Sequence, residues 1–249
     1  MAVGAYLVCA TPRSGSTLLC DLLAGTGAAG RPDSFYRRES IADFCRSWGV
    51  ALGEGVRFER RYLAAVITAG TDDTGMFGMR LMWPSLRELT AKVTALFPRQ
   101  TTDGDRIAAA FGTPVYIHLR RCDRIGQAVS RSKAEQSGLW HRGADGSNRE
   151  LARPYRPPRY DAAALKRFLA EIDEHEAAWS GWFAAQDIAP LELTYEELSD
   201  DPAAALAYVL AALGCDPTLA AHAKPMTARL ADAQSRRWAA RFAAECRRA

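Results

Sequence analysis

The stretch that most limits what this chain can fold into is residues 6 to 19, Tyr-Leu-Val-Cys-Ala-Thr-Pro-Arg-Ser-Gly-Ser-Thr-Leu-Leu. The apolar run Tyr6 to Ala10 fits a buried strand, and Leu18, Leu19, Leu22 and Leu23 from Ser16 onward fit a helix packing back on it. Between them lies a turn. Backbone N–H groups at a helix start have no partners inside the helix, and the macrodipole adds partial positive charge, so such a turn can hold a phosphate or sulfate. Gly15 lets the backbone approach closely, Ser14, Ser16 and Thr17 offer hydroxyls, and Arg13 offers a fixed cation. The turn reads as an anion cradle; a Gly-Ser turn after a strand with no ligand at all is the plainer alternative.

A nucleotide-binding P-loop needs Gly, four residues, then Gly-Lys-Ser/Thr. Laid on this chain, that pattern puts Ala10 at the first Gly and Ser16 at the Lys. The phosphate-bridging cation of an ATP or GTP site is therefore missing, and Arg13 stands three residues earlier. A nucleoside triphosphate bound with Mg²⁺ is disfavoured.

The 249 residues are 48% hydrophobic and 24% charged, as expected of an ordinary globular protein that buries roughly 70–75% of its unfolded surface. A formal charge of +3, with 32 basic against 29 acidic residues, does not argue for a nucleic-acid partner. The six cysteines form no C-x-x-C pair and no cluster with zinc spacing, so the expectation is reduced thiols in the cytoplasm and no metal. Ala203 to Cys215 is the longest apolar helical stretch and, at about 12 residues, is a core helix where a membrane span needs about 20.

Along the chain, Gly25, Gly27, Gly30 and Pro32 make a turn-rich segment leading to Asp33-Ser34-Phe35, where Ser34 or Asp33 offers a cap for a helix running toward Trp48. Residues 56 to 70 read as an amphipathic helix, and Met76 to Leu81 as a short buried strand. Pro84 opens a helix carrying Leu86, Leu89, Val93 and Leu96, and Asp103 to Phe111 is another. Val115 to Leu119 is the clearest central strand; Arg120 and Arg121 emerge at its C-terminal end, and a helix follows from Asp123 to Ser137. Strand, cation pair and helix repeat the anion-site layout. Residues 137 to 160, rich in Gly, Arg and Pro, form a long excursion, read as a lid with a surface insertion as the alternative; Trp140, His141 and Arg142 are its candidates for contact. Leu165 to Phe183 marks a long amphipathic helix whose aromatics are core or dimer contacts, and Pro190 to Tyr195 is a fourth strand. The tail from Ala228 to Arg248 shows little periodicity beyond Leu230, Trp238 and Phe242. Alternating strands and helices without a linker predict one α/β domain spanning 1–249, a P-loop-like three-layer fold with a central parallel sheet of four to five strands flanked by helices.

Taken together, the turn, the Arg-bearing strand end and the strand ending Leu-Thr-Tyr-Glu-Glu-Leu resemble the PAPS-dependent sulfotransferases, which take a sulfuryl group from 3′-phosphoadenosine 5′-phosphosulfate. Within them the chain is most similar to the trehalose 2-sulfotransferase group. That likeness is carried by Arg-Ser-Gly-Ser-Thr-Leu-Leu at 13 to 19, Gly30-x-Pro32, Leu81-Met82-Trp83, Gln127-Ala128-Val129-Ser130, Trp179-x-x-Trp182-Phe183 and Gln234-Ser235-x-x-Trp238. The resemblance implies that Arg13, Ser14, Gly15, Ser16 and Thr17 hold the donor's 5′-phosphosulfate, Arg13 neutralising the bridging oxygen as the sulfuryl group leaves. Arg121 and Ser130 match the positions that hold the 3′-phosphate, with a structural salt bridge as the alternative for Arg121; Arg229 closes over the nucleotide or belongs to a basic surface. No metal is implied, and the product would be adenosine 3′,5′-bisphosphate.

On the acceptor side the resemblance implies Pro32, Ser34, Phe35, Arg80, Trp83 and Trp140 as substrate-binding residues. The proposed base of the trehalose group is a Glu two residues after the Gly-x-Pro proline; Ser34 stands there, and Asp33 is the nearest carboxylate, with Glu39 and Asp43 one turn further. Asp33 is the expected base. His118, mid-strand, is read as a core histidine with one backbone partner, and His141 as a freer alternative. Arg80 replaces the family's Lys, keeping the charge without the capacity to donate its proton. The expected function is in-line sulfuryl transfer to a hydroxyl of a sugar, glycolipid or nucleoside-type product. A small-molecule kinase and a catalytically weak nucleotide- or partner-binding protein are the competing readings. A homodimer is compatible with the resemblance, and nothing in the composition demands one.

Overall fold

The computed structural model describes residues 4–143, 145–152, 154–226 and 232–248. Strands β1 (Gly4–Ala10), β2 (Met76–Met82) and β3 (Val115–Arg120) are joined by crossovers containing α1 (Ser16–Gly25), α2 (Ile41–Ser47) and α3 (Gly55–Gly70), then α4 (Trp83–Leu96) and α5 (Asp103–Phe111). After β3 come α6 (Arg124–Ser137), the antiparallel hairpin β4 (Leu139–Arg142) and β5 (Asn148–Leu151), and α7 (Ala162–Ala185). β6 (Leu191–Thr194), α8 (Tyr195–Asp200), α9 (Pro202–Ala212) and α10 (Ala233–Cys246) complete the order. The sheet runs β2-β1-β3-β6 with every pairing parallel, as strands separated by helical crossovers require.

Alternation along β1 makes the three layers. Tyr6, Val8 and Ala10 face the side covered by α1 and α9, where Leu19, Leu22, Leu206 and Leu210 are fully buried. Leu7 and Cys9 face the opposite side, against Tyr62 of α3, Leu89 and Val93 of α4 and Trp179 of α7. Each such apolar side chain contributes about 1.5–3 kcal/mol. A third cluster, Val129, Leu165, Phe168, Trp238 and Phe242, ties α6, α7 and α10 together beside the sheet. Register aligns the strand ends: Ala10 lies opposite Met82 on one side and Leu119 on the other. The turns after β1, β2 and β3 therefore share one edge of the sheet.

β2 is an outer strand, but its outer side is taken up by chain from nearby. Asp33 bridges Met79, Arg80 N–H donates to the Asp33 carbonyl at 3.1 Å, and Thr71 bridges Phe77 from the other direction. The approach is close: with φ +69°, Gly30 sits so that a Cβ would lie 2.8 Å from the Gly78 nitrogen and 3.0 Å from the Gly70 carbonyl. Asp72 fastens the same segment by accepting from Gly30 N–H at 2.7 Å.

Three expectations change. The helix toward Trp48 begins only at Ile41 and is capped by neither Asp33 nor Ser34, because residue 33 is engaged in its bridge to β2. The 137–160 excursion contains the β4–β5 hairpin. The tail, patternless in sequence, forms the 14-residue helix α10, started by an Asp232–Ser235 capping box.

Candidate functional site

The backbone leaving β1 twists into a left-handed conformation twice, at Arg13 (φ 69°) and Gly15 (φ 89°). Arg13 holds it against a steric cost of about 1–2 kcal/mol. At Gly15 a side chain is excluded outright, since a Cβ would stand 2.6 Å from the Tyr195 ring. Gly15 is also the N-cap of α1, which has no side-chain cap and no acidic residue in its first turn. α2, α3 and α4 also lack a side-chain cap, whereas every α-helix from α5 onward is capped by a Thr or Asp side chain. The N-terminal amides of α1 are thus left for another acceptor.

Two arginines and a serine converge there. Arg13 Nε donates to Ser130 Oγ at 3.0 Å, and its Nη1 donates to the Trp140 carbonyl at 2.6 Å. Arg121, 9% exposed, lies with its guanidinium 4.5 Å from the Tyr195 ring centre, Nη1 3.5 Å from the Arg13 carbonyl and Nη2 3.3 Å from Asp123. The salt-bridge alternative for Arg121 is thus present, to Asp123. Glu196 fixes the turn carrying it by accepting from the backbone N–H groups of Cys122 and Asp123 at 3.0 and 3.1 Å. Burial pushes the Glu196 carboxyl up, but these hydrogen bonds outweigh it and hold it below the usual glutamate value. Ser14 Oγ and Arg121 Nε are both buried without a hydrogen-bond partner among the described residues. Orphaned polar groups of this kind are uncommon, and two beside one uncapped helix start fit an anionic ligand. Arg229 lies outside the described residues.

Thr17 joins this cradle to the segment after Gly30. Arg80, from β2, donates Nη1 to Thr17 Oγ1 at 2.6 Å and Nε to Ser34 Oγ at 2.8 Å, with Nη2 3.9 Å from Asp33 Oδ1. His141 Nε2 reaches Thr17 Oγ1 from the hairpin at 3.2 Å. Asp33 is 55% exposed in its side chain and accepts the N–H of Ser34 at 2.6 Å. Glu39 and Asp43 pair instead with Arg37 and Arg46 of their own segment. Pro32 and Trp140 are partly exposed. Phe35 is buried in the core, packing on Phe44 and Trp48, and its carbonyl accepts from the Tyr62 hydroxyl. Trp83 packs edge-on against Trp179 with ring centres 5.3 Å apart.

His118 is buried as expected, but its partners are not backbone. Nδ1 is 3.2 Å from Glu192 and Nε2 3.5 Å from Glu176. Glu176, 6% exposed, accepts from the Thr11 hydroxyl at 3.0 Å. Sequence reasoning missed Glu176, Tyr195 and Glu196. Each lies far along the chain from what it holds; the Gln-Ala-Val-Ser motif marked the neighbourhood through Gln127, and the Leu-Thr-Tyr-Glu-Glu-Leu stretch contained Tyr195 and Glu196 without giving either a role. Away from the cradle, a groove of about 580 Å³ between β6, α8 and α9 is lined by Glu192, Glu196, Glu197, Asp200 and Asp201, which disfavour an anion. Among the described residues no group of His, Cys, Asp or Glu is placed to hold a metal ion, and no helix is long and apolar enough to cross a membrane.

The chain matches the model of the Stf0 sulphotransferase family over residues 5–245. It is 32% identical to the trehalose 2-sulfotransferase of Mycobacterium tuberculosis (strain ATCC 35801 / TMC 107 / Erdman), the alignment covering 99% of this chain and 97% of that one. It is also 32% identical to the trehalose 2-sulfotransferase of Mycolicibacterium smegmatis (strain ATCC 700084 / mc(2)155), covering 98% and 96%. Among solved structures, the sulfotransferase domain from the curacin biosynthetic pathway aligns over 98% of this chain and 99% of its own, at 14% identity and a TM-score of 0.45. With a family match across almost the whole length and two relatives at 32% identity, the chain belongs to the Stf0 sulphotransferase family and is a sulfotransferase.

Proposed function

We propose that this sulfotransferase, a single domain acting in the cytoplasm, moves a sulfuryl group from PAPS to a hydroxyl of a small-molecule acceptor. The relatives named for trehalose put a sugar first among acceptors. One observation carries the donor reading: Arg13, Ser130 and Arg121 gather at the uncapped start of α1 beside the orphaned Ser14 Oγ and Arg121 Nε. Bound there, the donor supplies a phosphosulfate anhydride, whose cleavage leaves adenosine 3′,5′-bisphosphate.

The amides of Ser14 to Thr17, with the hydroxyls of Ser16 and Thr17, bind the 5′-phosphosulfate, and Arg13 offsets charge on the leaving oxygen. Arg121 and Ser130 bind the 3′-phosphate, with Arg229 as a further contact. Arg80, shared between Thr17 and Ser34, holds the transferring group and the acceptor side in one frame. Pro32, Ser34, Phe35, Trp83 and Trp140 shape the acceptor pocket, and Asp33, the carboxylate next to Arg80, takes the acceptor proton. No step requires a metal.

The test is a thermal shift with adenosine 3′,5′-bisphosphate beside ATP plus Mg²⁺. A ligand at a hundred times its Kd stabilises the native state by about 2.7 kcal/mol. The bisphosphate should raise Tm by several degrees and ATP should not. A shift with ATP and none with the bisphosphate overturns the reading in favour of a kinase, and a bisphosphate shift without turnover on any acceptor favours a binding protein.

A further inference from the structure

The anion loop is gripped from behind. Glu176 of α7 accepts from the Thr11 hydroxyl at 3.0 Å, while Gln127 Nε2 of α6 donates both to Thr11 Oγ1 at 2.9 Å and to the Pro12 carbonyl at 2.8 Å. One turn further along α7, on the same face, Trp179 Nε1 donates to the Ala10 carbonyl at 3.1 Å. Three consecutive residues, Ala10, Thr11 and Pro12, are thus held by two helices immediately before Arg13 enters its left-handed conformation. That conformation sets the direction in which Arg13 reaches Ser130 and Trp140.

The polarity of the chain of bonds follows from Gln127. Its amide N–H groups donate to Thr11 Oγ1 and to the Pro12 carbonyl, so the Thr11 hydroxyl hydrogen is left for Glu176 Oε1. A single arrangement results. His118 Nε2 stands 3.5 Å from Glu176 Oε2 with no hydrogen bond between them, and its Nδ1 lies 3.2 Å from Glu192. Burying the Glu176 carboxyl, 6% exposed, costs desolvation that an apolar side chain would not, and its hydrogen bond from Thr11 offsets that cost.

We infer that Glu176 is a positioning residue of the anion site: through Thr11 it fixes the backbone that aims Arg13 and the α1 amides. The inference deepens the donor-site reading and rests on it for what the loop binds. Glu176 touches no reacting atom.

The experiment compares Glu176→Gln, Thr11→Val and the double variant in the full chain, by adenosine 3′,5′-bisphosphate affinity and by amide hydrogen exchange of residues 13–17 without ligand. Each single change should weaken the bisphosphate about tenfold, the loss of one buried hydrogen bond, and the double variant no more than either single. Exchange at 13–17 should quicken in all three. Affinity unchanged while Tm falls would mean that Glu176 only stabilises the fold, and effects that multiply in the double variant would mean that it does not act through Thr11; either overturns the inference. If the parent protein does not bind the bisphosphate, the donor reading falls and the exchange result alone decides: unchanged exchange overturns the positioning role, faster exchange supports it. Should Glu176→Gln not fold, Thr11→Val carries both measurements with the same outcomes.

Discussion

The loop that ends β1 and the segment from Gly30 to Tyr36 meet at Thr17, yet they are held by different means. Around the loop the fastenings are side chains buried in the protein: Gln127, Glu176 and Arg121 are all 9% exposed or less, and each belongs to a different turn or helix. The segment beyond Gly30 is held chiefly through its backbone, by the Asp33 bridge to β2 and the Gly30–Asp72 hydrogen bond, and its Asp33 carboxylate stands 55% exposed. Side-chain fastening ties a conformation to particular residues. Backbone fastening leaves the side chains open to change. On the proposed function, the first suits a donor common to many enzymes and the second suits an acceptor that differs between them, as Ser34 in place of a Glu illustrates.

Substitutions can break that contrast. Arg13→Ala removes a cation that touches both Ser130 and the hairpin, and should lower kcat/KM by about 10³-fold and bisphosphate affinity with it, read by steady-state kinetics and calorimetry. Asp33→Asn should cut kcat by about 10²-fold or more while leaving bisphosphate affinity unchanged; full turnover would move the base elsewhere, with His141 next in reach of Thr17. Arg121→Ala should weaken the bisphosphate by about tenfold to a hundredfold with a smaller change in kcat. If Asp33→Asn weakened the donor as much as Arg121→Ala does, the division into two halves would fail.

The smallest effect sharpens it. Burial pushes the Asp72 carboxyl up, but hydrogen bonds from Thr74, Gly30 and Met76 outweigh it and hold the group below its ordinary 3.8. A depressed carboxyl stabilises the fold above its unfolded pKa and loses that contribution as pH falls through the lower, folded value. Tm should therefore decline below about pH 4, and Asp72→Asn should flatten the part of that decline that comes from the 30–36 segment. Equal slopes in the two proteins would show that Asp72 does not hold it.

Much of the scaffold was readable because β1, β2 and β3 are apolar runs broken by Gly and Pro, and because α3, α4 and α7 carry clear helical spacing. The Arg-Ser-Gly-Ser-Thr turn was readable because few side chains suit a helix start facing an anion. What escaped reading has physical reasons. Leu139–Arg142 and Asn148–Leu151 are four-residue strands of mixed polarity, too short for alternation to register. In α10 only Trp238 and Phe242 are buried, so two residues bear a pattern that usually takes four or five. Glu176 looked like any charge on the outer face of a long helix, since its partner Thr11 is 165 residues away. Tyr195 was read as a strand end, while Thr194, Glu196 and Glu197 turn it into the first residue of α8, under Gly15.

The docking of Asp33 and Thr71 on β2 has a bearing on solubility. An outer strand with free N–H and C=O groups invites a neighbouring molecule to add its own strand, and here those positions are already engaged by the polypeptide itself. The stretch proposed to meet the acceptor is therefore also a guard against self-association. With Gly30, Gly70 and Gly78 backed so closely together, a side chain at Gly30 would prise that guard away from β2. Such a variant should be lost to aggregation before its catalysis could be measured, so variation in acceptor choice has to come from residues 31 to 36 while Gly30 stays a glycine.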